Sequence, residues 1–132
     1  MVGLLLIMHG NLAGDMLEIT SEILCSCPLT TEALAISANC DPDIQYNRAK
    51  ELCDKLDDGS GVLVLTDLYG STPSNIANRL INSHNVNVVS GASLPMLVRI
   101  LNYPDMSLEK ISENAISGAR DGIVISSRKQ AS

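Results

Sequence analysis

The sequence predicts an α/β fold, a doubly wound and mostly parallel sheet with helices on both faces. Continuous apolar runs of strand length recur along the chain. Each is followed by a segment whose apolar residues return every three or four positions, and no long linker or low-complexity tract breaks the alternation. Strands of a parallel sheet are covered on both faces, which is why they read as unbroken aliphatic runs and not as alternating ones.

The first such run is residues 2–8, "VGLLLIM". After Gly10 the period changes, and Leu12, Met16, Ile19, Ile23 and Leu24 form one apolar stripe through "LAGDMLEITSEIL", a helix. "TTEALAIS" returns to a short strand. "DPDIQYNRAKELCDKLDDG" follows as a helix with Ile44, Ala49, Leu52, Cys53 and Leu56 inside and acidic residues at its start, where the helix dipole favours them. "GVLVLTD", residues 61–67, is the clearest buried strand. It runs into "LYGSTPSNIANRLI", where Thr72 can cap, Pro73 suits the first helical position, and Ile76, Ala77, Leu80 and Ile81 make the inner stripe. "VNVVSG" and "SLPMLVRIL" repeat strand and helix, "SLEKISENAISGA" adds a last helix, and "GIVISS" is expected to close the chain as a strand.

A chain of 132 residues suits one domain. With 45% hydrophobic and 18% charged residues it is too apolar for disorder. Three Tyr with no Phe or Trp leave the core to aliphatic side chains and supply almost no stacking platform for bases or sugar rings. A net charge of −6, with the basic residues scattered, disfavours nucleic acid and suits a positively charged protein partner. The opening apolar run lacks a basic leader and falls far short of the ~20 residues a membrane span needs, so a cytoplasmic protein is expected. Cys25, Cys27, Cys40 and Cys53 lack the paired CxxC spacing of a structural zinc site and are expected as reduced, partly buried thiols with no metal.

In an open α/β sheet, ligands meet the edge formed by the carboxyl ends of the strands. His9 follows the first strand and Asp67 ends the third, so both belong to that edge. An imidazole whose one nitrogen is held by a carboxylate presents the other as a nucleophile or base. Around this pair, "HGN" and "DLYGSTPSN" supply Gly10, Gly70, Ser71, Thr72 and Ser74 at two helix starts, where unpaired amides and small hydroxyls can receive an anion such as a phosphoryl group. Neither loop matches a nucleotide-binding fingerprint. Taken alone, Asp67 also reads as a turn cap and "GSTP" as an ordinary loop and helix cap. "GASLPML", residues 91–97, reads equally as a strand exit or as a wall of the site. His84, in the polar "NSHNVN", belongs to the opposite edge as a surface residue.

Three segments, "MHGNLAGDML" at 8–17, "GVLVLTDLYGSTPSNIA" at 61–77 and "VVSGASLPML" at 88–97, together with the order of elements, resemble the IIA domain of the mannose family of the bacterial phosphoenolpyruvate-dependent sugar phosphotransferase system (PTS). The resemblance implies a single EIIA domain over residues 1–132, a phosphotransferase needing no cofactor or metal. It implies that His9 accepts a phosphoryl group from the phosphohistidine of HPr and passes it to an EIIB domain. Asp67 would orient the ring, and Gly70, Ser71, Thr72 and Pro73 would border the phosphoryl group. It further implies a homodimer in which a C-terminal strand, here "GIVISS", adds antiparallel to the partner's sheet, and peripheral association with membrane EIIC and EIID through EIIB. The chain departs from the family pattern at Gly70-Ser71, where two glycines are common, at Ser74, where a bulky residue often stands, and at Ala92-Ser93, where Val-Asn is common. The alternatives are the related phosphoryl-transfer subunit of a dihydroxyacetone kinase system, a non-enzymatic regulatory protein of the same fold, and a small-molecule hydrolase. The last is weakened because nothing completes a second catalytic set.

Overall fold

The structure, a computed structural model, describes residues 1–128. These form four strands, β1 (Gly3–His9), β2 (Thr31–Ile36), β3 (Val62–Thr66) and β4 (Val86–Ser90), all parallel in the order β2-β1-β3-β4. Five α-helices accompany them: α1 (Leu12–Leu24), α2 (Pro42–Leu56), α3 (Thr72–Arg79, continued by the 3-10 turn Leu80–Asn82), α4 (Leu94–Asn102) and α5 (Leu108–Asp121).

The central strands are apolar on both faces because each face carries its own core. Leu4, Leu6, Met8, Leu63 and Leu65 pack with Ala13 and Met16 of α1, Leu97 and Ile100 of α4, and Ile111 and Ala115 of α5. Leu5, Ile7, Val62 and Val64 pack with Ala49, Leu52 and Leu56 of α2 and Ile76 and Ala77 of α3. Crossovers between parallel strands are right-handed. The chain steps from β1 to one neighbour through α1 and later from β3 outward through α3, so these two helices fall on opposite faces.

The helices differ in detail from their sequence-based expectation. In α1 the inner face is Ala13, Met16 and Thr20, with Leu17 and Leu24 beside it, while Leu12, Ile19 and Ile23 are exposed. Two stripes satisfy the same three-four spacing, and the one that fits closely under the sheet carries the smaller residues. Ile44 and Ile81, expected inside, are exposed. Thr72 is the first residue of α3 and not its cap; Ser71 holds the cap position. The largest difference is at 122–127: the "GIVISS" segment forms no strand here, and Ile123, Val124 and Ile125 are exposed.

Candidate functional site

The strand order reverses between β1 and β3, and a crevice opens outside their carboxyl ends at such a switch point. His9 is the last residue of β1, and Asp67 follows the last residue of β3. Their strands are hydrogen-bonded neighbours, so two residues 58 positions apart in sequence become adjacent in space.

One oxygen of Asp67, Oδ2, lies 2.7 Å from His9 Nδ1 and also accepts the His9 backbone N–H at 3.1 Å. Its other oxygen accepts the Leu68 N–H at 3.1 Å. An ionised carboxylate only accepts, so the ring proton sits on Nδ1 and the lone pair of Nε2 is left outward. The His9 side chain is 49% exposed and that of Asp67 14%, which leaves the imidazole open to solvent and the carboxylate mostly covered. Burial opposes the charge on Asp67. The hydrogen bonds from the His9 ring and from the backbone amides, with the attraction of His9, outweigh it and hold the carboxyl below its ordinary value.

His84 is the contrasting case. It is half-buried at the other edge of the sheet, with Nε2 2.9 Å from Asp54 and Nδ1 2.7 Å from the Ser83 hydroxyl. Both ring nitrogens are engaged, so it has no lone pair to offer.

The loops around His9 supply fewer donors than their composition suggests. The Gly10 N–H is spent on the Ile36 carbonyl at 2.9 Å. The Ser71 hydroxyl donates to the Leu68 carbonyl at 2.5 Å, and the Ser71 amide points to the same oxygen. Pro73 is buried and has no N–H, and Ser74, whose hydroxyl was expected to face the anion, is fully buried with that hydroxyl unpartnered. What remains is the helix starts themselves. Neither Asn11 nor Ser71 caps its helix with a side chain, so the leading amides of α1, and that of Thr72 in α3, keep no intrahelical acceptor. Gly70 turns the chain at φ +84°, a conformation that side-chain-bearing residues rarely adopt, and brings α3 back over the edge. The 91–97 segment borders the same edge: Ala92 N–H bonds the Thr66 carbonyl, and Ser93 caps α4 by accepting from Met96. Sequence reading missed two contributors, the Leu68 amide and the Thr66–Ser90 hydroxyl pair; the first is backbone, and the second reads as strand.

The site is an open face. A depression of about 410 Å³ between α1 and β2, one of about 290 Å³ along α5 and one of about 330 Å³ between α4 and α5 are lined by neither His9 nor Asp67. Among the described residues no three His, Cys, Asp or Glu side chains converge on a metal-binding geometry. Cys25 and Cys27 are exposed free thiols, not the partly buried ones expected; Cys40 is half-buried and Cys53 buried, both free. Burial, with Asp54 and Asp57 nearby, pushes the Cys53 thiol up to about 12.

Fold and site define a doubly wound α/β domain that presents a carboxylate-held histidine on an open face. The family model described as the PTS system fructose IIA component matches residues 3–116. The chain belongs to this family, the mannose-type EIIA domains of the phosphotransferase system. It is 35% identical over 72 residues to the PTS system mannose-specific EIIAB component of Escherichia coli strain K12, a match covering 52% of this chain and 22% of that protein. The match thus spans about a fifth of the curated relative's length. The solved structure of phosphotransferase system component EIIA from Streptococcus agalactiae superposes with a TM-score of 0.80 at 25% identity, covering 95% of this chain and 97% of the other. The mannose/sorbose specific IIA subunit from Enterococcus faecalis shares the fold, with a TM-score of 0.85 at 20% identity, covering 96% and 95%. Among the described residues no helix is long and apolar enough to cross a membrane.

Proposed function

We propose that His9 is the phosphoryl acceptor of this domain, receiving the group from the phosphohistidine of HPr and delivering it to an EIIB domain. The observation that carries this reading is the 2.7 Å contact of His9 Nδ1 with Asp67, which leaves Nε2 as the outward nucleophile on an open face. In the transfer, the phosphorus–nitrogen bond on the donor ring breaks as the bond to Nε2 forms. The ring charge that develops is met by Asp67 through the Nδ1 proton, which stays in place. The free amide of Thr72 and the start of α1 meet the charge on the equatorial oxygens. Ser71 frames this face by fastening the turn, Gly10, Gly70 and Thr72 border the phosphoryl group, and Pro73, buried beneath, holds the start of α3. A half-exposed ring held over a mostly covered carboxylate fits a macromolecular donor that brings its own half of the site. Exposed Leu12, Leu68 and Tyr69 give that donor an apolar rim, and the chain's net charge of −6 suits a basic carrier.

The reading extends to a homodimer. Ile123, Val124 and Ile125 are 83%, 75% and 73% exposed, an aliphatic run with strand propensity left without cover in the single chain. Antiparallel addition to a partner's sheet would bury it. The domain works in the cytoplasm and reaches membrane EIIC and EIID through EIIB.

Incubating the protein with phosphorylated HPr and measuring intact mass at neutral pH tests the assignment. The wild type gains one phosphoryl group and His9→Ala gains none. An undiminished mass gain in His9→Ala refutes the assignment.

A further inference from the structure

We propose that Thr66 and Ser90 are positioning residues for the His9–Asp67 pair. Resting on the function proposed above, this names the element that sets the geometry of transfer. Thr66 is fully buried at the end of β3, directly before Asp67. Its hydroxyl donates to the Ser90 hydroxyl at 2.9 Å, from the residue opposite it on β4. Its carbonyl accepts the Ala92 N–H at 3.0 Å, and Ile7 of β1 lies opposite it on the other side. The residue next to Asp67 is therefore tied through its side chain to the end of β4 and through its backbone to the loop beyond.

Stability alone is a poor reason for this pair. Replacing both partners of a buried hydrogen bond by apolar groups of the same shape can be nearly neutral, so valine at 66 together with alanine at 90 would fill the place about as well. A hydrogen bond adds direction, which packing lacks. Direction matters here because Asp67 Oδ2 serves the His9 amide at 3.1 Å and the ring at 2.7 Å together, and a small lateral drift would lengthen one contact at the other's expense. Misplacement of a reacting group by about 1 Å can cost on the order of 100-fold in rate.

The test compares Thr66→Val, Ser90→Ala and Thr66→Ser with the wild type. Transfer from phosphorylated HPr gives the rate at saturation and the carrier concentration at half that rate. Ring-nitrogen NMR gives the His9 tautomer, assigned by loss of its signals in His9→Ala. In Thr66→Val and Ser90→Ala the saturating rate should fall roughly 3- to 30-fold with half-saturation unchanged. The Nδ1–H population of His9 should fall with it, and Thr66→Ser should restore both. The proposal is overturned if Thr66→Val and Ser90→Ala leave the ring signals and the rate as in the wild type, even when thermal stability drops. A wild type that takes no phosphate sinks the transfer reading instead, and the tautomer comparison, which needs no carrier, still decides the positioning role.

Discussion

Asp67 Oδ2 serves two N–H groups of one residue, and this fixes both where His9 sits and which of its nitrogens is free. Because its carboxyl is held below the ordinary value, folding favours the ionised form. A depressed carboxyl contributes stability that is present above the unfolded value, about 3.9, and is lost as pH falls through the folded value. Urea unfolding of wild type and Asp67→Asn should therefore show a stability difference that is constant near neutrality and shrinks below about pH 4. Transfer should suffer more than folding. An amide can turn its NH₂ toward Nδ1 and move the ring proton to Nε2, so the rate of phosphoryl uptake should fall about 10- to 1000-fold, or about 1.4–4 kcal/mol of barrier. At this scale the places of His9 and Asp67 at one edge of the sheet were legible in the sequence, since each follows an apolar run of strand length. The fate of single donors was not. Whether the Gly10 amide and the Ser71 hydroxyl face a ligand or a carbonyl depends on turn geometry that residue type leaves open.

Among elements, α4 and α5 approach so closely that glycine becomes a packing requirement. A Cβ on Gly118 would stand 2.5 Å from the Cβ of Arg99, and one on Gly122 would collide with Pro95. Arg99 has no freedom to yield at its Cβ, and its guanidinium already bonds Ser117 at 3.2 Å and Asp121 at 2.8 Å. Gly118→Ala should therefore destabilise: overpacking costs about 1–3 kcal/mol, and this exceeds the gain of about 1 kcal/mol in helix propensity. Gly14, in α1, has nothing within 4 Å of the same position, so Gly14→Ala should stabilise by about 0.5–1 kcal/mol. Thermal unfolding of the two variants should show shifts of opposite sign. The elements themselves were readable from period and composition, though Pro73, expected at the first helical position, is the second residue of α3. Their rotation was less so. In α1 the larger aliphatics Leu12, Ile19 and Ile23 advertise one face, while Ala13, Met16 and Thr20 are the residues the sheet accepts.

For the whole molecule, topology and surface lead to different consequences. Alternation of strands and helices was enough to foresee a parallel sheet, and the order β2-β1-β3-β4 then places the site at its switch point. The end of the chain obeys a different constraint. A segment of Ile-Val-Ile cannot earn its place by hydrophobic burial in a single copy when all three side chains are exposed, and both β2 and β4 are edge strands with one unpaired side. In the dimer proposed above, a strand crossing between protomers would bury its aliphatic side chains and satisfy an open edge at once. In a strand Ile123 and Ile125 share one face, so Ile123→Lys combined with Ile125→Lys places two charges where that face would be covered. The variant should sediment as a monomer at concentrations where the wild type is dimeric. Its far-ultraviolet circular dichroism should stay near that of the wild type, because the two core clusters contain neither residue. Sedimentation velocity over a concentration series is the measurement, and a wild type that is monomeric throughout would remove the exchanged strand from the account while leaving His9 and Asp67 in place.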